Sequence, residues 1–193
     1  MTINQTILQH IEAAFQGEVW GIASYRAMME GQSDPVRRWK WAVLTQLEVE
    51  TRAAMFDLLR TLGGDTQDRE ASRQAGLIEA ERLLQMDWLT MISAFSADLP
   101  GLIAEYSALE KAAQPHIGEA TALRKLVQHE KATLAFCEAE LAGRDDSLAE
   151  VLTMLREVPK MPALPLCTGE TRLSVEAMVE DVFKSTYSRA DGG

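Results

Sequence analysis

Two glutamates, each with a threonine three positions later, are the residues of this chain best suited to chemistry. The pattern occurs at Glu48 and Thr51 and again at Glu130 and Thr133, each time on the apolar stripe of a long predicted helix. A third glutamate, Glu18, lies on the apolar stripe of the first predicted helix. Buried carboxylates cost free energy unless they are protonated, paired or bound to a cation. Together they could hold one or two divalent metal ions.

The spacing of these glutamates predicts that they converge at one depth. Glu18 and Glu48 are 48 − 18 = 30 residues apart and straddle a predicted turn near residue 33. At the rise of an α-helix, each lies roughly 22 Å from that turn. Glu130 follows a second predicted turn, near residue 115, and its partner on the preceding helix should lie near residue 100. Asp98 fits that position better than Glu105, so Asp98 is the predicted fourth carboxylate.

A helical hairpin is predicted to carry the first two glutamates. Apolar residues at three- and four-residue spacing predict a first helix over residues 4–31 and a second that ends at Gly63-Gly64. Between them, Ser33-Asp34 provides a cap and Pro35 suits the first turn of the second helix. A more polar stretch, 65–82, is predicted to be a crossover that is at least partly helical.

A second hairpin is predicted after the crossover. Its first helix covers about 83–113 and should kink or break at Pro100-Gly101. Gln114-Pro115 is predicted to turn the chain into a last long helix, 116–142, which ends at Gly143. This order predicts an all-α, antiparallel four-helix bundle with a long second crossover.

The remaining residues predict a C-terminal extension, so we divide the chain into a bundle, 4–143, and an extension, 144–193. Asp146 or Ser147 should cap a short helix that ends near Val158. Three prolines then predict an extended tether, and an amphipathic helix is predicted over 173–187. The prolines of the tether are Pro159, Pro162 and Pro165.

Composition restricts the partners of the chain. The net charge of −10 disfavours binding to nucleic acid and to anionic membranes. No signal peptide is recognised at the start, and no apolar run is long enough to span a membrane. The two cysteines, Cys137 and Cys167, form no metal or redox pair, which fits a reducing cytoplasm. An apolar face left on such a bundle would favour a homodimer.

The pattern of residues 4–143 resembles the ferritin-like superfamily, with bacterioferritin and rubrerythrin as the nearest templates. Glu18 followed by Tyr25 is similar to the ligand glutamate and inward tyrosine of the first helix in that family. Glu48-x-x-Thr51, with Gly64 thirteen positions later, is similar to its Glu-x-x-His motif and terminating glycine. Glu130-x-x-Thr133, and the run 135–141 after it, are similar to the corresponding part of the fourth helix.

The resemblance implies a di-metal or single-metal carboxylate site that binds iron or manganese for oxidoreductase or metal-handling chemistry. It assigns Glu18, Glu48, Glu130 and Asp98 as metal ligands. Tyr25, Thr51 and Thr133 would lie beside the cofactor. Threonine replaces the histidine of both motifs, so affinity should be lower than in a histidine-containing site and the preference should shift towards manganese, magnesium or calcium.

Other interpretations remain open at this stage. The carboxylates could form a metal-free layer in a helical scaffold that binds a partner, with Thr51 and Thr133 bonded to backbone carbonyls one turn earlier. A cavity between the helices could instead hold an apolar or small acidic ligand. His129 is expected at a boundary or on the surface, because it points about 100° away from Glu130 around the helix.

Overall fold

In a computed structural model, the described residues, 3–117 and 121–161, are helical and contain no strand. This confirms the predicted all-α class. The helices in this part of the chain are α1 (Gln5–Gly31), α2 (Pro35–Leu62), α3 (Glu70–Leu84), α4 (Trp88–Ser96), α5 (Leu99–Ile117), α6 (Thr121–Leu141) and α7 (Ala149–Met154).

Helices α1 and α2 form the hairpin that the sequence predicts. The Asp34 side chain accepts hydrogen bonds from the backbone N–H groups of Val36 and Arg37, which satisfies donors that the first turn of a helix leaves free. Pro35 occupies that first turn, where a missing N–H costs nothing. Gly63 ends α2 with φ of 72°, a left-handed conformation that glycine adopts without strain.

The crossover packs against the outside of α1. It has no regular secondary structure over residues 64–69 and is then helical as α3, so the prediction of a partly helical connection is confirmed. The Gln16 side chain of α1 donates to the Gln67 carbonyl and accepts from the Arg69 N–H, which fixes the irregular part. Further on, a Cβ at Gly76 would overlap the Trp20 carbonyl, so this glycine allows α3 to approach α1 closely.

The third long helix of the prediction is two helices, α4 and α5. The helix is interrupted after Ser96, and Pro100 lies in the first turn of α5, where a proline is tolerated. The predicted turn at Gln114-Pro115 is wrong, because Pro115 lies inside the last turns of α5. The fourth helix, α6, accordingly begins at Thr121 rather than at residue 116.

Contacts between helices link α1 to α2, α2 to α6, α6 to α5 and α5 to α1. The apolar core falls into two clusters. On α1, one cluster ends at Val19 and the other begins at Tyr25; on α6, the change comes between Val127 and Ala132. The buried polar residues at or next to the change from one cluster to the other are Glu18 of α1, Glu48 and Thr51 of α2, and His129 and Glu130 of α6.

Helix α7 belongs to the same packed core as the longer helices. Leu148, Val151 and Leu152 are buried in one of the two apolar clusters, and the Trp39 indole N–H of α2 donates to the Pro159 carbonyl. The helix is shorter than predicted, since it ends at Met154. The rest of the predicted tether and the 173–187 helix lie outside the described residues, and the domain boundary at residue 143 stays a prediction.

Across the helices that the structure describes, none combines the length and the apolar character that crossing a membrane requires.

Candidate metal centre

Glu18, Glu48 and Glu130 meet in the polar layer between the two apolar clusters. They come from α1, α2 and α6, and each side chain is less than a tenth exposed. The depth calculation from the sequence therefore placed these three residues correctly, although their role as ligands stays a prediction. Three carboxylates this close cannot all be ionised in a buried site without a compensating positive charge.

His129 supplies an imidazole to the same place, where the sequence predicted none. Its Nδ1 lies 3.5 Å from Glu18 Oε2, its Nε2 lies 3.0 Å from Glu48 Oε1, and the residue is 1% exposed. The expectation of a surface or boundary histidine is wrong. It assumed that α6 buries one stripe, whereas α2, α4, α5 and α7 all pack against α6.

One potential ligand atom from each of Glu18, His129 and Glu130 lies within 4.8 Å of the others. This spacing allows the three atoms to surround one small cation. Glu48 is not a member of this group of three, but it contacts the far nitrogen of the His129 ring. The four side chains thus form a continuous buried cluster of carboxylates around one imidazole.

The two threonines of the repeated motif are buried one turn beyond their glutamates. Neither Thr51 Oγ1 nor Thr133 Oγ1 has a hydrogen-bond partner. The alternative in which they bond to carbonyls one turn earlier is therefore wrong for both. Thr45 shows what that interaction looks like in this protein, since its Oγ1 donates to the Trp41 carbonyl at 2.7 Å.

The structure does not bring the predicted fourth carboxylate to the cluster. Asp98 is exposed in the break between α4 and α5, and Glu105 is exposed on α5. Asp98 therefore lies between two helices, where a count along one continuous helix does not apply. The buried polar residue that α5 contributes on this side is Tyr106, whose neighbours include Glu18 and Glu130.

Tyr25 lies beside the cluster, as the sequence predicted, and also packs against aromatic rings. Its ring centroid lies 5.5 Å from that of Trp41 and 5.4 Å from that of Phe95. Burial, followed by the charges of Glu48 and Glu130, raises the pKa of Tyr25 well above its ordinary value. The phenol is therefore protonated at neutral pH and can act only as a neutral hydrogen-bonding group.

Burial controls the protonation of the carboxylates. It is the main cause that raises the pKa of Glu18 to about 8, with Glu48 adding to the effect and His129 opposing it. Burial likewise raises the pKa of Glu130 to about 7, again against the effect of His129. For His129, burial lowers the pKa, but the charges of Glu48 and Glu18 outweigh it, and the net pKa lies well above the ordinary value.

Gly21 makes room for the Glu48 carboxylate. A Cβ built on Gly21 would overlap both oxygens and the carboxyl carbon of Glu48. Since Gly21 lies on α1, less than one turn after Glu18, the absence of its side chain lets the two acids approach across the α1–α2 interface. The spacing of the carboxylates thus depends on a residue with no side chain.

Several polar atoms of this layer have no hydrogen-bond partner. They are the hydroxyl oxygens of Thr51 and Thr133, together with Glu18 Oε2 and both ring nitrogens of His129, whose contacts with one another and with Glu48 are ion-pair contacts without hydrogen-bond geometry. Buried polar atoms are normally paired, so such a concentration needs an explanation. Carboxylate oxygens and an imidazole nitrogen are the donors that a divalent transition metal takes in proteins, so the residues present fit such an ion.

A cavity of about 790 Å³ leads from the surface to the carboxylates. Glu18, Glu48 and Glu130 all line it, and its outer part lies between α3, α4 and α5. The cluster is therefore buried within the helices but accessible to a molecule that enters this cavity. A buried site with such an entry can exchange ions or contact a substrate without unfolding.

Comparison of the chain with protein-family models, with curated proteins and with solved structures found no match.

Proposed function

We propose that this protein is a divergent ferritin-like four-helix bundle that binds one divalent metal ion, iron or manganese, between Glu18, His129 and Glu130. Its activity would be oxidoreductase or metal-handling chemistry at that ion. The observation that carries the proposal is the group of buried carboxylate and imidazole atoms that these three residues hold within 4.8 Å of one another.

The helix contacts support the bundle. Helices α1, α2, α6 and α5 contact one another in a closed ring, which is the arrangement that four helices around one core require. α4 would then extend the α5 position at one end, and α3 would be the long crossover on the outside of α1. Acidic side chains projecting inward from several helices are the feature on which metal sites in ferritin-like bundles are built.

The charges of the cluster support a cation. With all three glutamates ionised and His129 neutral, the cluster carries three negative charges in a buried site. Each uncompensated charged group there costs roughly several kcal/mol. A divalent ion would remove most of that charge. Without the ion, the same cluster must take up protons, and the raised pKa values of Glu18 and Glu130 are consistent with this.

His129 replaces the histidines that the two Glu-x-x-Thr motifs lack. In this proposal its Nδ1 faces the ion together with Glu18 and Glu130, while Nε2 faces Glu48. A carboxylate on the second ring nitrogen is the usual way in which proteins orient a metal-binding imidazole. With one imidazole rather than two, the site is expected to hold a single ion, and when bound the ion would supply one-electron or Lewis-acid chemistry.

The experiment is metal analysis of the full-length protein. Protein stripped with a chelator and reconstituted with Fe²⁺ without oxygen, or with Mn²⁺, should contain metal close to stoichiometric with the chain. His129→Gln and Glu130→Gln should each lower the affinity by about tenfold or more, since even loss of a residue that only orients a ligand costs about that much. Glu138→Gln, an exposed position on the same helix, is the matched control and should bind as the wild type does.

The proposal fails if the reconstituted wild type binds no metal, or if His129→Gln and Glu130→Gln bind as much metal as Glu138→Gln. Either result would favour the alternative in which the bundle is a metal-free scaffold.

A further inference from the structure

We propose that the cavity beside the metal centre binds an apolar organic molecule whose polar end is neutral or positively charged, and that this is the class of substrate on which the centre acts. The inference rests on the proposed function for the chemistry, but its binding step can be measured separately.

The walls of the cavity are apolar and aromatic. Trp20 and Tyr25 of α1, Phe95 of α4, and Leu102 and Tyr106 of α5 line the passage to the carboxylates. A volume of about 790 Å³ is within the usual range for pockets that bind small organic ligands, roughly 300–1,000 Å³. These side chains match the surface of an apolar molecule.

The inner end of the cavity restricts the charge of the ligand. Glu18, Glu48 and Glu130 all line it there, and the lining that the structure describes offers no unpaired basic side chain, so a carboxylate or phosphate group would find no cationic partner. A hydroxyl or amino group would instead find acceptor oxygens. The polar end of the ligand is therefore expected to be a neutral donor or a cation.

The mouth of the cavity does not reverse this preference. Arg82 is the basic residue of the lining, and its guanidinium already donates to both carboxylate oxygens of Glu79. Asp98 adds another negative charge at the same entrance. Ile78 of the lining is 66% exposed, which gives the entrance an apolar edge that an apolar ligand would cover.

The crossover helix explains why such a cavity exists in this chain. Ala75, Ile78, Glu79 and Arg82 all come from α3, and they form one side of the entrance. Because α3 is held close to α1 at Gly76, its position relative to the cluster is fixed. The long connection therefore contributes a binding wall in addition to linking the two hairpins.

Two probes with the same apolar body and different polar ends test this inference. 2-Naphthalenemethanol and the 2-naphthoate anion are titrated calorimetrically into the full chain, with and without Mn²⁺. The alcohol should bind, and the metal-free chain should bind the anion at least about tenfold more weakly, a difference of about 1.4 kcal/mol. Equal affinity of the metal-free chain for both probes, or no binding of the alcohol, would overturn the inference.

Two substitutions test whether the alcohol binds in the cavity. Ala94→Trp fills the wall on α4 and Ala75→Trp narrows the entrance on α3; each should weaken binding of the alcohol by about tenfold or more. The matched control is Ser93→Trp, which is exposed on α4 beside Ala94 and outside the cavity lining. It should bind within about twofold of the wild type. If Ala75→Trp, at an exposed position, binds as tightly as Ser93→Trp, the inference is wrong.

Metal content is measured on the same samples, so that the two proposals fail separately. A wild type that binds the alcohol but no metal would remove the proposed function and leave the ligand site. A wild type that binds metal but neither probe would remove this inference and leave the metal centre.

Discussion

The carboxylate of Glu48 lies directly against the backbone of α1, and Gly21 is the residue that permits it. An alanine there would gain helix propensity, which favours alanine over glycine by about 1 kcal/mol. It would also force the Glu48 carboxylate out of its position, because the added methyl group overlaps it. Since Glu48 is buried and touches His129, it has little space into which to move. The steric cost should therefore exceed the propensity gain.

We expect Gly21→Ala to lower the free energy of unfolding by about 1–3 kcal/mol, the usual cost of overpacking a core. It should also weaken metal binding, because His129 loses the position of its Glu48 partner. Urea unfolding of the metal-free protein and a metal titration check the two effects. The control is Gly101→Ala on α5, where an added Cβ meets no atom within 4 Å. It should stabilise the chain by up to about 1 kcal/mol, and a Gly21→Ala protein as stable as this control would contradict the account.

At the scale of single residues, the sequence was sufficient to predict the positions of three carboxylates but not the position of the imidazole. Glu18, Glu48 and Glu130 interrupt apolar stripes. The rise per residue of a helix converts their sequence positions into distances from the turns. His129 could not be placed in this way, because its burial depends on how many helices surround α6. Asp98 was misplaced because it lies between α4 and α5, so that its depth cannot be counted along one continuous helix.

At the scale of helices, a buried ion pair joins α2, α4 and α6 beyond the metal centre. Lys40 of α2 forms an ion pair with Glu140 of α6, and the Trp88 indole N–H of α4 donates to the other Glu140 oxygen at 2.8 Å. The Glu140 side chain is only 6% exposed, so this contact is largely removed from water. One carboxylate thus fixes the relative position of three helices.

We expect Glu140→Ala to lower the free energy of unfolding by about 1–3 kcal/mol, because it leaves the Trp88 N–H and the Lys40 ammonium without their partner. Thermal or urea unfolding measures this change. Glu138→Ala, exposed two residues earlier on the same helix, should stay within about 0.5 kcal/mol of the wild type. Equal stabilities of the two variants would show that the ion pair contributes nothing net.

The elements of the chain differed in how well the sequence predicted them. The α1–α2 hairpin followed from strong local signals, namely the Asp34 cap, Pro35 in the first turn and the left-handed Gly63. The second hairpin was less predictable because a proline can lie either in the first turn of a helix or near its end. Pro100 lies in the first turn of α5 and Pro115 is tolerated near its end, and only the packing of α5 against α6 and α1 distinguishes these cases.

At the scale of the whole molecule, the metal-free protein should become less stable as the pH rises. The pKa values of Glu18 and Glu130 are raised in the folded state, to about 8 and about 7, from the ordinary value of 4.5. Protonation of the folded state therefore contributes stability that is fully present below pH 4.5 and is lost as the pH rises through 7 to 8. The raised pKa of His129 acts in the same direction.

We expect the free energy of unfolding of the metal-free chain, measured in urea, to fall between pH 5 and pH 8. Glu18→Gln and Glu130→Gln should each make this fall smaller, because an amide does not titrate. The control Glu138→Gln should keep the full slope. A metal-free wild type that gains stability over this range would mean that the cluster is ionised and compensated in another way.

Metal binding should reverse this dependence. Because a divalent ion binds the ionised carboxylates of the folded state, it stabilises that state more as the pH rises. At pH 8, saturating Mn²⁺ should therefore raise the unfolding midpoint of the wild type more than it does at pH 5. His129→Gln should show little of this gain, and an equal gain in His129→Gln would indicate that the ion binds elsewhere on this acidic chain.

Anomalous diffraction from crystals of the Mn²⁺-reconstituted protein, collected at a wavelength where manganese scatters strongly, shows whether one ion lies between Glu18, His129 and Glu130. We expect one strong anomalous peak enclosed by these three side chains, with the Glu48 carboxylate on the opposite side of the imidazole. Peaks confined to exposed carboxylates, with no anomalous density inside the cluster, would contradict the proposed metal centre.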